Sequence, residues 1–221
     1  MLSKKHVFIS LILVLFVIGN VFAQETGQFS IGARAGVLIG FHSIPSDFLL
    51  FAITLGVDSS WQSKNNFNFA IYGSYAITDR ILIQPEFNFM IKQGYKGEIS
   101  GLSSEVDAYY SSLDIPILVK YTFLKQPLFF GILAGPHLSF PLGDLKMEVP
   151  GYLTSVGDSD GVAFGFSAGL FGGYPVGPGR IVGDLRFIMD FNSIGMKESG
   201  VSFEMIKRRG ISFTIGYEYS F

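Results

Sequence analysis

Residues 209–221 read RGISFTIGYEYSF. From Ile211 onward the odd positions are Ile211, Phe213, Ile215, Tyr217, Tyr219 and Phe221, and the even ones are Ser212, Thr214, Gly216, Glu218 and Ser220. A period of two sends successive side chains to opposite faces, so this is a strand with one wide aromatic and aliphatic face and one small or polar face. A strand of a soluble sandwich does not require an apolar face of that width, nor a chain that stops on a phenylalanine carboxylate.

The same alternation recurs upstream. In residues 27–40, Phe29, Ile31, Ala33, Ala35, Val37 and Ile39 oppose Ser30, Gly32, Arg34 and Gly36. In 66–77, Phe67, Phe69, Ile71, Tyr75 and Ile77 oppose Asn66, Asn68, Ser74 and Ala76. The turn Thr78-Asp79-Arg80 leads into Ile81, Ile83, Phe87, Phe89 and Ile91 against Gln84, Glu86, Asn88 and Lys92. Two such runs with so short a link make a hairpin. A second hairpin joins 113–123, where Leu113, Ile115, Ile117, Val119, Tyr121 and Phe123 alternate with Asp114, Pro116, Leu118 and Lys120, to 128–140 through Leu124-Lys125-Gln126-Pro127. The return strand is nearly all apolar and glycine, and its phase stays open. A third joins 162–173 to 180–191 across residues 174–179, with Ile181, Leu185, Phe187, Met189 and Phe191 against Arg180, Asp184, Arg186 and Asp190.

At the other end of the chain, Lys4 and Lys5 precede an apolar run of about 12 residues, Val7 to Ile18, and small residues close the segment at Val21-Phe22-Ala23. This has the form of a secretory signal peptide over residues 1–23, cleaved after Ala23; a spanning helix needs roughly 20 apolar residues. The remaining chain, 24–221, reads as one domain. It is apolar and aromatic, with 48% hydrophobic residues, 23 Phe and 27 Gly, yet none of its apolar runs reaches the length of a membrane helix. Inside a bilayer each backbone N–H and C=O needs an internal partner, which leaves a closed barrel. With no cysteine there is no disulfide, and closure of the sheet must supply the stability. Without the two signal lysines the balance is 14 basic against 18 acidic residues, which gives no sign of nucleic-acid binding.

The tight turns alternate with long connections at residues 41–65, 94–108, 141–161 and 192–208. About eight strands, an even number, with both termini on the periplasmic side, follow from that alternation. The expected fold is all-β: a closed antiparallel up-and-down transmembrane β-barrel in the outer membrane. The stretch FLLFAITLGV, Phe48 to Val57, is too apolar for a solvated loop and reads as an extracellular or interfacial excursion.

Arg34, Glu86, Lys92, Asp114, Lys120, Asp184, Arg186, Asp190 and Glu218 fall in the polar phases. Pointing inward, they form a mixed-sign lumen. Eight strands leave an interior that side chains fill, and charges are tolerated there only when paired and hydrogen-bonded. The expectation is a structural salt-bridge plug; a narrow ion or proton path is the alternative.

His137 and Ser139 share a strand face, and Glu148 follows downstream. A nucleophile, a base and a carboxylate make an acyl-transfer set, and the spacing resembles the His-x-Ser pair of lipid A deacylase barrels. The plainer reading, which we take as the expectation, is a rim histidine near lipid headgroups. His6 leaves with the signal and His42 stands past the first strand, so a nitrogen- or sulfur-ligated metal site lacks material. Asp158-Ser159-Asp160-Gly161 resembles a fragment of a calcium loop without its closing Glu and reads as a loop turn. Gly165, Gly169, Gly172 and Gly173 match no phosphate-binding pattern and suit a bending strand. No catalytic, cofactor-binding or metal-ligating residue is assigned, and no cofactor or enzymatic activity is expected. Trp61, Tyr72, Tyr75, Tyr95, Tyr109, Tyr110, Tyr121, Tyr174, Tyr217 and Tyr219 fall largely near strand ends, as an aromatic girdle requires. Tyr109 and Tyr110, with Ser103, Ser104, Ser111 and Ser112, also suit a partner-binding loop.

Two blocks carry a family likeness. Leu82-Ile83-Gln84-Pro85-Glu86-Phe87-Asn88-Phe89 followed by Lys92-Gln93-Gly94-Tyr95-Lys96, and Leu113-Asp114-Ile115-Pro116-Ile117-Leu118-Val119-Lys120-Tyr121 followed by Leu133-Ala134-Gly135-Pro136, resemble the PorT-like outer-membrane β-barrel domain family. The resemblance implies a small porin-like barrel, of which one branch serves a secretion system, and it brings no catalytic residues. The closing strand likewise resembles the C-terminal strand of bacterial outer-membrane barrels, whose final aromatic is the assembly signal.

The sequence therefore points to a structural or surface-interaction protein of the Gram-negative outer membrane. Its expected partners are membrane lipid, the barrel assembly machinery through the strand ending at Phe221, and a protein at the extracellular loops. The alternatives are a lipid-modifying enzyme using His137 and Ser139, an accessory component of a secretion system, a narrow channel, and a soluble lipocalin-like barrel with its apolar face turned inward. Deleting Phe221 should lower the amount of heat-modifiable protein in outer-membrane fractions with little effect on export; unchanged assembly would contradict the role given to this residue.

Overall fold

The structure, a computed structural model, describes residues 27–41, 62–98, 105–124, 128–149, 152–198 and 201–221. The signal segment, His42, the stretch from Phe48 to Val57 and Trp61 lie outside them. Each regular element described is a strand. In chain order they are β1 (Phe29–Gly40), β2 (Gln62–Ser63), β3 (Asn66–Ala76), β4 (Ile81–Glu98), β5 (Glu105–Leu124) and β6 (Phe129–Val149), then β7 (Tyr152–Asp160), β8 (Ala163–Val176), β9 (Gly179–Asp190), β10 (Ile194–Glu198), β11 (Val201–Ile206) and β12 (Arg209–Ser220).

Eight of these close a ring in the order β1-β3-β4-β5-β6-β8-β9-β12, with all neighbours antiparallel. Closure is made by β1 and β12, in register from Ser30↔Ser220 to Gly40↔Gly210, and Phe221 N donates to Phe29 O at 2.9 Å just beyond. The expected fold, strand number and parity are those observed. On β12 the odd residues face outward, with Phe213 55% and Ile215 58% exposed, while Ser212, Thr214 and Glu218 are buried. The same division holds around the ring: Ile31, Phe67, Ile117, Ile132, Phe164 and Leu185 are all exposed. An outer wall this apolar is stable against acyl chains rather than water.

The tight turns gather at the end that carries Gln28 and Phe221. At residues 77–80 the Thr78 hydroxyl accepts from the amides of Arg80 and Ile81, at 3.2 and 3.0 Å. Gly177 turns the chain between β8 and β9 with a φ of 61°, a left-handed conformation that glycine adopts without steric cost. Exposed Tyr174, Tyr217, Tyr219, Phe29 and Phe221 surround this end, giving the aromatic belt expected at one interface.

At the opposite end three of the expected long connections, 94–108, 141–161 and 192–208, are largely strand over their described residues. β4, β5 and β6 run for 18, 20 and 21 residues, roughly twice the 9–11 that a bilayer requires. Beyond the ring they are extended sideways in the order β2-β4-β5-β6-β7-β10-β11. Register shifts mark the departure: one between Met90 and Gln93, where Lys92 takes a φ of 53°, and one between Tyr109 and Ser111, near Gly143 at 77°. Such bulges bend a sheet and re-aim its side chains. The projecting sheet has its own core, burying Tyr95, Val106, Ala108, Tyr110, Leu145, Ile194 and Ile206.

The bulge corrects one lumen residue. Lys92 continues the polar phase of β4 in sequence, but the inserted residue turns it outward, where its Nζ stands 4.9 Å from the Tyr109 ring centroid. Asp158 and Asp160 belong to β7 rather than to a loop turn, and Gly161 makes the turn with a φ of 91°.

Candidate functional site

The candidate site is the lumen. Nearest the tight turns, Arg34 of β1, Glu86 of β4 and Asp184 and Arg186 of β9 converge because each occupies an inward phase at a similar height on its strand. Arg186 grips Glu86 with two parallel bonds, Nη1 to Oε2 at 2.8 Å and Nη2 to Oε1 at 2.9 Å. Its Nη2 also donates to Asp184 Oδ2 at 3.0 Å. Arg34 pairs with Glu86 through Nη2 and reaches Asp184 Oδ2 through Nη1 at 2.9 Å. Two guanidiniums and two carboxylates thus form a closed, charge-neutral unit, the geometry in which buried ions are tolerated. Gln84 ties it to Lys120: its amide nitrogen donates to Glu86 and its Oε1 accepts from Lys120 Nζ at 2.9 Å. Below, Arg180 Nε donates to Glu218 Oε1 at 2.8 Å.

Four residues above Arg34 and Glu86 stand Leu38 and Met90, and with Ile188 they form an apolar layer across the lumen. A second polar cluster closes the outer end. Arg208, fully buried at 0% exposure, directs Nη1 to Asp114 Oδ2 at 2.6 Å and Nη2 to Asp190 Oδ1 at 3.0 Å. His137 Nε2 lies 2.7 Å from the same Asp190 oxygen, and Nδ1 lies 3.2 Å from Ser167 Oγ. Gln93 and Ser112 complete the ring, with Ser112 Oγ donating to Asp114 Oδ1 at 3.0 Å. The backbone joins in, since Asp190 N donates to Arg208 O at 2.9 Å. Arg208 immediately precedes β12, so it anchors the end of the β10–β11 arm across the mouth of the barrel.

Several expectations are corrected here. His137 is a lumen residue, buried to 2% exposure, and not a rim residue among headgroups. Its ring lies over Gly165, its register partner on β8; a Cβ there would stand 2.5 Å from Nε2. Ser139 is buried on the same face, but its hydroxyl has no hydrogen-bond partner among the described residues. Glu148 is elsewhere, 11 residues beyond His137 along β6, roughly 35 Å of extended chain, and accepts from Tyr109 Oη at 3.2 Å. The hydroxyl and carboxylate that His137 does meet are Ser167 and Asp190. That chain has the composition of an acyl-transfer triad, but it is enclosed by the barrel wall and covered by Arg208. Of the proposed girdle, Tyr72 is inside the lumen over Arg34, 5.1 Å from ring centroid to guanidinium. Tyr95, Tyr109 and Tyr110 are buried in the projecting sheet, so Tyr109 and Tyr110 offer no free contact surface. No group of acidic, histidine or cysteine residues able to hold a metal occurs among the described residues.

An eight-stranded antiparallel barrel with a lipid-facing outer wall and an ion-paired interior defines a small transmembrane β-barrel of the outer membrane. The chain belongs to the outer membrane protein beta-barrel domain family, whose profile matches residues 22–195. Its fold is similar to that of Neisserial surface protein A, NspA, with a TM-score of 0.54 at 14% identity over 89% of this chain and 100% of that one. OprG of Pseudomonas aeruginosa gives 0.54 at 11% identity, covering 89% and 97%. A major outer membrane protein from Thermus thermophilus gives 0.52 at 14% identity, covering 89% and 100%. At these identities the likeness is one of fold. No curated protein matches the sequence.

Removing the central cation of the outer cluster leaves two carboxylates buried without a counter-charge. Arg208→Met should therefore cost about 3–5 kcal/mol of stability, read by urea unfolding of the barrel refolded into phospholipid vesicles. Adding Asp114→Asn and Asp190→Asn to the same chain should recover part of the loss. A cost below about 1 kcal/mol for Arg208→Met would show that the cluster does not hold the mouth closed.

Proposed function

We propose that this is a non-catalytic outer-membrane protein whose plugged barrel carries a rigid extracellular surface for a protein partner. The observation that carries the reading is the projecting sheet. Flexible loops would suffice for a barrel that only spans the membrane, whereas here β4, β5 and β6 continue as strands, gain β2, β7, β10 and β11 as neighbours, and bury a second core. Order of that kind has a conformational entropy cost, and a pre-organised surface returns it on binding. Its outer side carries exposed charge, including the Lys96–Glu105 pair at 3.3 Å.

Within the family we place the chain in the PorT-like branch, on the Gln84-Pro85-Glu86, Leu113-Asp114-Ile115-Pro116 and Ala134-Gly135-Pro136 motifs. An accessory role in secretion is the function class that placement suggests. Export through residues 1–23 and insertion by the barrel assembly machinery at the strand ending in Phe221 belong to the same proposal. The enclosure of Ser167, His137 and Asp190 supports a structural role for them over lipid modification, and the neutral Arg34–Glu86–Asp184–Arg186 unit supports a plug over a channel.

A photo-reactive side chain on the projecting sheet tests the reading. In intact cells, Glu105→p-benzoylphenylalanine should give discrete protein adducts on irradiation, and the same replacement at lipid-facing Ile117 should not. Identical patterns at the two positions, or no protein adduct at position 105, would contradict a surface-interaction role.

A further inference from the structure

The end of the lumen that carries the tight turns holds a cavity of about 690 Å3, within the range of small-molecule sites. It begins at exposed Gln28, Thr78 and Asp79, and at its inner end stands Lys120. The charges of this half of the lumen do not cancel. Among the described residues inside the barrel here four cations face three carboxylates, with Asp79 outside the count because it stands exposed at the mouth, and each of the three is held by arginine: Glu86 and Asp184 by Arg34 and Arg186, and Glu218 by Arg180. The remaining cation is Lys120. Only 6% of it is exposed, it donates to the neutral Gln84 amide, and its Nζ stands 4.2 Å from the Phe171 ring centroid. An ammonium has three N–H donors, so two remain, and a charge withdrawn from water calls for a counter-charge.

We propose that this vestibule binds a small organic monocarboxylate from the periplasmic side. The carboxylate sits on Lys120 Nζ, whose unmatched charge is one unit. The apolar body lies against Phe171, Phe129, Leu82 and Val182, which line the same cavity. The single charge and the apolar walls select against inorganic phosphate, a more highly charged oxyanion that needs several donors; the backbone amides of the strands around the cavity are committed to the ladders. The pocket is blind, because the Arg34–Glu86–Asp184–Arg186 unit closes it above, so the ligand enters and leaves by one mouth.

The probe is radiolabelled benzoate in equilibrium dialysis against the full-length barrel in lipid nanodiscs, with empty nanodiscs subtracted. Benzyl alcohol serves as the uncharged counterpart and inorganic phosphate as competitor. Wild-type protein should bind benzoate saturably, benzyl alcohol at least tenfold more weakly, and phosphate should not compete. Lys120→Met should weaken benzoate at least tenfold while the protein keeps its heat-modifiable migration. Val182→Trp, which fills the cavity and leaves Lys120 in place, should do the same, and it decides the matter if Lys120→Met does not fold. No saturable benzoate binding, equal binding of benzyl alcohol, competition by phosphate, or undiminished binding in a folded Lys120→Met protein would each overturn the proposal.

Discussion

A backbone amide inside a bilayer has no water to bond with, and the whole architecture answers that constraint. The pairing of β1 with β12 brings the two ends of the chain together and leaves the ring without an edge. Once the sheet is closed, the alternation of side chains is fixed for every strand: one set meets lipid and the other meets the interior. The aromatic row of β12, the glycine and serine positions between its members, and the burial of Glu218 are consequences of the same closure.

Closure also decides what the interior holds. A ring of eight strands is too narrow for a water-filled channel and too polar on its inner face for a hydrocarbon core. Its charges are therefore paired across the interior, with Arg186 holding Glu86 by two parallel bonds and Arg208 standing between Asp114 and Asp190. Rings that lie over the neighbouring strand find glycine beneath them: Tyr72 lies over Gly32 and His137 over Gly165. The ion-paired layers and the Leu38–Met90–Ile188 layer between them give the projecting sheet a rigid foundation, and the surface role proposed for that sheet rests on it.

The outward wall was legible because a period of two is a strong signal when one face is lipid, and the polar phases of β1, β4, β5, β9 and β12 supplied most of the lumen charges. Four features are not legible there. Lys92 follows the polar phase in sequence, but a bulge adds one residue and reverses its direction, and no local signal marks a bulge made by lysine. His137 reads as a rim residue because β6 is almost uniformly apolar and glycine, leaving no contrast from which to read its phase. Arg208 stands in a run of polar residues between two strands, where nothing distinguishes a buried arginine from an exposed one. The projecting strands read as loops because membrane barrels commonly end their strands at the interface, and continuation beyond it depends on pairing with β7, β10 and β11, which are distant in sequence.

Ion conductance tests most directly whether the ion-paired interior seals the barrel. With the purified protein in a planar bilayer, paired charges and the Leu38–Met90–Ile188 layer predict no steady current above that of the bare membrane. Stable, ohmic openings by the wild-type protein would contradict the account.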